Sequence, residues 1–233
     1  MANQWKLSSR LRLVAGQVRP GAVAADVGTD HGYLACALAG EGICPRVYAS
    51  DLNPGPLRQA EKTIELCGLG GQVTALLSDG VANLPLEEID DVIVAGMGGD
   101  LILSIVEDPR LKAAGKRLIL QPMTKPEVLR RGLYRMGFAL ESEQAVEDGR
   151  FVYTVMTAVY TGVCREIDPL TAYAGLVSGA DGEEAKAYLS RILSGVTKKR
   201  NGLEQGDGDP ETIRALCLLE NELKERIGDG EDR

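Results

Sequence analysis

Ala24-Ala25-Asp26-Val27-Gly28-Thr29-Asp30-His31-Gly32-Tyr33-Leu34 is the most informative stretch of the chain. A short apolar run leads into two glycines four residues apart, and an alanine- and leucine-rich helical pattern follows. This is the pattern of a strand turning into a helix. Glycine there lets the backbone bend sharply and approach a ligand closely. In an open parallel sheet such a turn lies beyond the strand ends, where nucleotides bind. The spacing differs from the dinucleotide fingerprint G-x-G-x-x-G, because Asp30 stands where its second glycine would be. A glycine-rich turn with helix-capping aspartates is the competing reading.

On both sides of this loop, apolar runs alternate with helical patterns. Strands are expected at 22–27, 46–51, 73–77, 91–95 and 117–121, and helices at 32–40, 55–67, 99–107 and 125–136. A helix at 6–18 precedes them, with Leu7, Leu11, Val14 and Val18 on one stripe and Arg10 and Arg12 off it. Val92-Ile93-Val94 and Leu118-Ile119-Leu120 are unalternated apolar runs, as strands covered on both faces should be. The β-rich stretches 138–146 and 151–160 have no helix between them and should pair as an antiparallel hairpin at one edge. The fold class is therefore α/β, a mostly parallel doubly wound sheet with an antiparallel edge hairpin. Composition changes near residue 163. A helix starts at Asp168-Pro169, 183–200 is helical, and Leu216, Leu219, Leu223 and Ile227 recur at helical spacing after a turn capped by Asp209. The expected organisation is a domain at 1–162 followed by a small antiparallel, coiled-coil-like helical pair at 163–233.

Of 233 residues, 44% are apolar and 26% charged, and the net charge is −8. The excess acid argues against indiscriminate binding to nucleic acid or anionic membranes. Local balance differs: residues 1–20 carry Lys6, Arg10, Arg12 and Arg19 with no acid, and 110–135 carry eight cations against Glu127. Lys198-Lys199-Arg200 form a third cluster, and 201–233 is acidic. These segments are candidates for phosphate contacts. The single histidine, His31, excludes zincin-type metal sites, and no metal is expected. Five scattered cysteines without a C-x-x-C pair read as reduced thiols in a cytoplasmic protein. No apolar run approaches the ~20 residues of a membrane span, and the N-terminus lacks the apolar block of a signal peptide.

Four motifs fall in order at successive strand ends. The first loop places Asp26 two residues before Gly28, which suits S-adenosylmethionine, a cationic cofactor without phosphate. Asp51 ends the second strand, twenty-three residues beyond Gly28, where a carboxylate accepts hydrogen bonds from both ribose hydroxyls. Ser78-Asp79-Gly80 follows the third strand, with Asp79 placed for an adenine amino group, and Ala95-Gly96-Met97-Gly98-Gly99 follows the fourth. The Asn/Asp-Pro-Pro-aromatic loop of amino-group methyltransferases is absent, which favours a ring-nitrogen acceptor.

GTDHGYL, DLNPGP, SDG, AGMGG and LQP, in this order, closely resemble the bacterial TrmK family over about residues 7–160. The family's members are S-adenosylmethionine-dependent methyltransferases of N1 of adenosine-22 in tRNA. The resemblance implies a Rossmann-like class I methyltransferase sheet, S-adenosyl-L-methionine as cofactor and tRNA as partner. By resemblance, Asp26, Gly28, Thr29, Asp30, His31 and Gly32 form the cofactor loop. Asp51 and Leu52 attend the ribose, Asp79 and Gly80 the adenine, and Gly96 and Met97 the wall beside the methyl group. Asp30 and then His31 are the catalytic candidates. Arg10, Arg12, Tyr33, Gly98, Gly99 and Gln121 are the substrate-binding candidates, with Tyr33, Trp5 and Tyr134 the aromatics available to stack on an extruded base. Met123 departs from the asparagine expected after Gln121-Pro122. The alternatives are a small-molecule methyltransferase of the same fold, its tail serving a homodimer, and a catalytically silent cofactor-binding module.

Overall fold

The computed structural model describes residues 7–206 and 208–228. Its strands are β1 (Ala24–Val27), β2 (Val47–Asp51), β3 (Val73–Leu77), β4 (Asp91–Gly98), β5 (Arg117–Thr124), β6 (Phe138–Asp148) and β7 (Phe151–Tyr160). They form one seven-stranded sheet in the order β3-β2-β1-β4-β5-β7-β6. β1 pairs in parallel with both β2 and β4, so the strand order reverses beside it and opens a crevice at the carboxyl edge. β7 runs antiparallel to both β5 and β6 as the expected edge hairpin.

Alternate residues of the central strands serve opposite cores, which is why those strands read as unbroken apolar runs. Val92, Val94, Leu118 and Leu120 pack with Ile102 and Val106 of α4 (Gly99–Val106) and Leu129 and Leu133 of α5 (Pro126–Arg135). Ile93 and Ile119 pack on the other face with Val14 of α1 (Ser9–Gln17), Leu34 and Leu38 of α2 (Tyr33–Gly40) and Ile64 of α3 (Pro54–Leu66).

Two expectations shift. β4 and β5 continue past Ala95 and Gln121 to Gly98 and Thr124, pairing with each other through register shifts at Met97. Arg10 does not lie on a solvated face of α1, because its guanidinium turns in to Gln121 and Asp148.

At the C-terminus, α6 (Pro169–Ala174), α7 (Glu183–Glu204) and α8 (Pro210–Gly228) bury Tyr188, Leu189, Val196, Leu216, Leu219 and Leu223 together with Ala145 and Val152 of the hairpin. Asp209 accepts from Thr212 N at 2.9 Å, the N-cap expected for α8. The helices dock through a buried polar node. Arg130 of α5 and Glu143 of β6 form an ion pair at 2.5 Å with both side chains fully buried. Arg130 also donates to the carbonyls of Ala172 and Tyr173 and to the Tyr188 hydroxyl, while Glu143 accepts from Thr154 and Leu176 N.

Candidate active site

The carboxyl ends of β1 to β4 enclose a cleft of about 840 Å³. Its floor is the loop after β1. Gly28 adopts φ +75°, and its N–H and that of Thr29 both donate to Ser50 O of β2, at 2.8 and 2.9 Å. That φ favours glycine, and a methyl group there would also push aside the tip of the Met97 side chain, whose Cε lies 2.1 Å from the Cβ position. Asp30 also has positive φ (+53°), uncommon for a non-glycine residue, and its N–H donates to Asp51 Oδ2 at 3.3 Å. Asp51 Oδ1 accepts from Asn53 N at 2.9 Å. Two backbone donors thus fix this buried carboxylate at the cleft wall.

Behind the wall, Asp26 is buried and accepts from Thr29 Oγ1 at 2.6 Å. Burial lifts its carboxyl to about 6, against the pull of the Thr29 and Ala35 hydrogen bonds. On the β3 side, Ser78 Oγ donates to Gly80 O and accepts from Asn83 N, fixing the turn that carries Asp79. Arg110, clamped on Asp108, donates to Val81 O at 3.0 Å and holds the same turn from outside. On the β4 side, Gly96 N donates to Gln121 Oε1 at 3.1 Å, and Arg10 Nη1 donates to the same oxygen at 2.5 Å.

A family described as a methyltransferase domain matches residues 7–156. The tRNA (adenine(22)-N(1))-methyltransferase of Bacillus subtilis is 35% identical over 178 residues, 76% of this chain and 75% of that one. The crystal structure of the B. subtilis M1A22 tRNA methyltransferase TrmK superposes with a TM-score of 0.84 at 26% identity, covering 96% of this chain and 100% of that chain. This chain belongs to the TrmK family. The likeness extends through the C-terminal helices as well as the sheet. A second TrmK structure, from M. capricolum in complex with S-adenosyl-homocysteine, gives a TM-score of 0.77 at 25% identity over 95% of this chain and 98% of that one.

For this TrmK-family chain, the fold brings Gly28, Asp30, Asp51, Leu52, Asp79, Gly80, Gly96 and Met97 to one cleft, as the sequence anticipates. Asp26, Thr29 and Gly32 support it from behind: Gly32 (φ +74°) packs 3.1 Å from Ala60 of α3, measured from the position of a Cβ. His31 stands at the rim, its Nε2 3.6 Å from Asp30 Oδ2, and it stacks on Tyr33 with ring centroids 5.5 Å apart. Tyr33 is 52% exposed, and the Asp30 and His31 side chains are 67% and 50% exposed. This trio forms an exposed rim to the cleft.

The remaining substrate candidates do not line this cleft. Gln121 is fully buried and accepts from both Gly96 N and Arg10. Gly98 and Gly99 pack against the β5–α5 turn, where a Cβ on Gly99 would meet Lys125 O at 2.3 Å. Arg12 is ion-paired with Glu41 on the surface, and Tyr134 is buried beneath Arg165. Trp5 and Lys6 lie outside the described residues. Sequence reading missed Asn53 and Pro56, although both stand in DLNPGP, and it missed Leu101, Ser104 and Ile105 of α4, which carry no local signal.

Proposed function

We propose that this chain methylates N1 of adenosine-22 in tRNA with S-adenosyl-L-methionine as donor. The observation that carries the reading is the Asp51 carboxylate, locked by Asn53 N and Asp30 N at the wall of the cleft below the exposed Asp30–His31–Tyr33 rim. Membership of the TrmK family supplies the substrate class.

The residues present fit the cofactor. A cleft of about 840 Å³ falls within the roughly 300–1,000 Å³ of small-molecule sites. Asp51 would accept from the ribose hydroxyls, and Asp79 and Gly80 would border the adenine. Gly28 and Met97 would border the chain that bears the amino acid moiety. When bound, S-adenosylmethionine supplies an electrophilic methyl on a sulfonium.

N1 of adenine carries an in-plane lone pair at neutral pH and needs no strong base. Rate enhancement then rests on alignment, worth up to roughly 7–11 kcal/mol in well-oriented intramolecular reactions. Tyr33, already stacked on His31, offers a face for an extruded adenine. A carboxylate oxygen of Asp30 would accept from the exocyclic amine and stabilise the positive charge that develops on the ring. A cytoplasmic location accords with the substrate.

The test is methyl transfer from labelled cofactor to an unmodified tRNA transcript with adenosine at position 22 and to one with guanosine there. Label should enter the first and not the second. Equal labelling would reject position 22, and cofactor binding without transfer to any tRNA would favour a small-molecule substrate or a silent module.

A further inference from the structure

We propose that a second cleft, between the carboxyl end of β5 and α7, is an RNA subsite that takes the strand beside the target base. The inference rests on the tRNA-methylation reading and names where the flanking ribonucleotide would lie. The cleft measures about 290 Å³ and is bounded by the turn at 122–127, by Tyr153 and Tyr173, and by Arg191 and Gly195 of α7.

Gly195 is the first observation. It sits inside a 22-residue helix, where glycine is less stable than alanine. Neither its φ nor packing demands glycine, since a Cβ there would meet nothing within 4 Å. Gly99, by contrast, is held bare by the Lys125 carbonyl, 2.3 Å from a Cβ, and Gly28 by its φ of +75°. Gly202 also has open space but does not line the cleft, whereas Gly195 opens directly into it.

The flanks of this notch have the chemistry of a nucleic-acid strand. Arg191 and Lys199 lie one turn before and one turn after Gly195, on the same stripe of the helix. Arg191 is exposed, donates to Val152 O and lies over the Tyr153 ring at 5.9 Å. Lys199 Nζ donates to the Tyr173 hydroxyl at 3.4 Å. Cations spaced along a groove with half-buried aromatic rings between them are the components of single-strand RNA sites, where phosphates meet the charges and bases the rings. Glu127 is the carboxylate on this lining, and Lys125 is bound to Asp100 at 2.5 Å.

A chain of contacts connects this cleft to the cofactor cleft. Arg10 lies over the same Tyr153 ring as Arg191, at 5.7 Å, and shares Gln121 Oε1 with Gly96 N of the cofactor wall. Both clefts open at the carboxyl edge of the sheet. Among the described residues the two non-glycine residues at positive φ are Asp30, at the first cleft, and Lys125, at the second. A strand that delivers one base over Tyr33 would therefore run on into the notch at Gly195.

Full-length wild type, Gly195→Ala, Gly195→Leu and Arg191→Gln would be compared for binding of an unmodified tRNA transcript by filter retention. Methyl-transfer kinetics, cofactor calorimetry, thermal unfolding and sedimentation would be run on the same proteins. Gly195→Ala should melt no lower than wild type. Gly195→Leu should raise both Kd and KM for tRNA at least tenfold, with cofactor affinity and kcat at saturating tRNA within about twofold. Arg191→Gln should reduce the salt slope of tRNA binding by about one. Wild-type Kd and KM in Gly195→Leu would overturn the subsite and leave the methylation reading standing. Conversion of a dimer to monomer by Gly195→Leu with tRNA binding unchanged would also overturn it and give the notch to a second copy of the chain. Loss of tRNA binding in Gly195→Leu, with wild type transferring no methyl to tRNA, would uphold the subsite and reject the methylation reading. A wild type that does not bind tRNA would reject both.

Discussion

Asp26 and Asp51 are two buried carboxylates at neighbouring strand ends, and their surroundings give them different work. Asp51 is held by two backbone N–H groups at the cleft wall, so Asp51→Ala should remove a charged acceptor from both ribose hydroxyls. At ~1.5–3 kcal/mol per charged hydrogen bond, cofactor affinity should fall at least tenfold, which calorimetry would measure. Unchanged affinity in a folded variant would take Asp51 out of the site. Asp26 sits behind the loop, and burial raises its carboxyl from 3.8 to about 6. The folded chain therefore binds this proton more tightly than the unfolded chain. Its contribution to stability is present below about pH 4 and is lost as pH rises through about 6. Asp26→Asn keeps an acceptor for Thr29 and Ala35 and removes the buried charge. It should match wild type near pH 4 and exceed it at pH 8 by roughly 2–3 kcal/mol. Parallel melting profiles of the two proteins from pH 4 to 8 would contradict this.

The strands and the turns that bear Gly28, Asp51 and Asp79 could be read from the sequence because their causes are local. Period, glycine position and an acid at a strand end all lie within a few residues of one another. What escaped reading depends on pairs that the chain brings together from afar. Arg10 meets Gln121 across 111 positions, and β4 outruns Ala95 only because β5 accompanies it. Arg130 looked like one cation of a basic segment, yet folding places it against Glu143 beneath α6 and α7. Arg130→Met should cost ~3–5 kcal/mol, because it strands Glu143 as an unpaired buried charge. The double variant Arg130→Met, Glu143→Leu should recover most of that loss in urea denaturation. Additive losses would show that the two side chains act independently. The same node warns against deleting residues 163–233 to test the tail, since the deletion uncovers this ion pair along with any RNA contacts. Point changes at Gly195 avoid that confusion.

An acidic protein that acts on RNA must present its cations selectively, and counting charge by sequence window overstates what is presented. Arg10, Arg12 and Arg19 pair with Asp148, Glu41 and Asp91. Arg110, Arg117, Lys125 and Arg135 pair with Asp108, Glu141, Asp100 and Glu166. Lys116 is turned inward to the carbonyls of Leu86 and Ile89. These cations join the sheet, its loops and its hairpin, so a phosphate would compete with a carboxylate or carbonyl for each of them. Had every cation of both basic segments met a phosphate, the slope of log affinity against log salt would be roughly −8 or steeper. With most of them paired, and Arg191 and Lys199 supplying contacts at the second cleft, three or four phosphates is the expected number, for a slope of about −2 to −4. Filter binding of unmodified tRNA between 50 and 200 mM salt would measure it, at about those concentrations because the effect is large there. For the same reason, charge reversal at Arg12 should change the slope less than charge reversal at Arg191. A slope near −8 would mean that the ion pairs open when RNA binds and that their cations turn to the phosphates. Recognition would then be spread over the N-terminal helix and the 110–135 segment, and α7 would lose its special place in it.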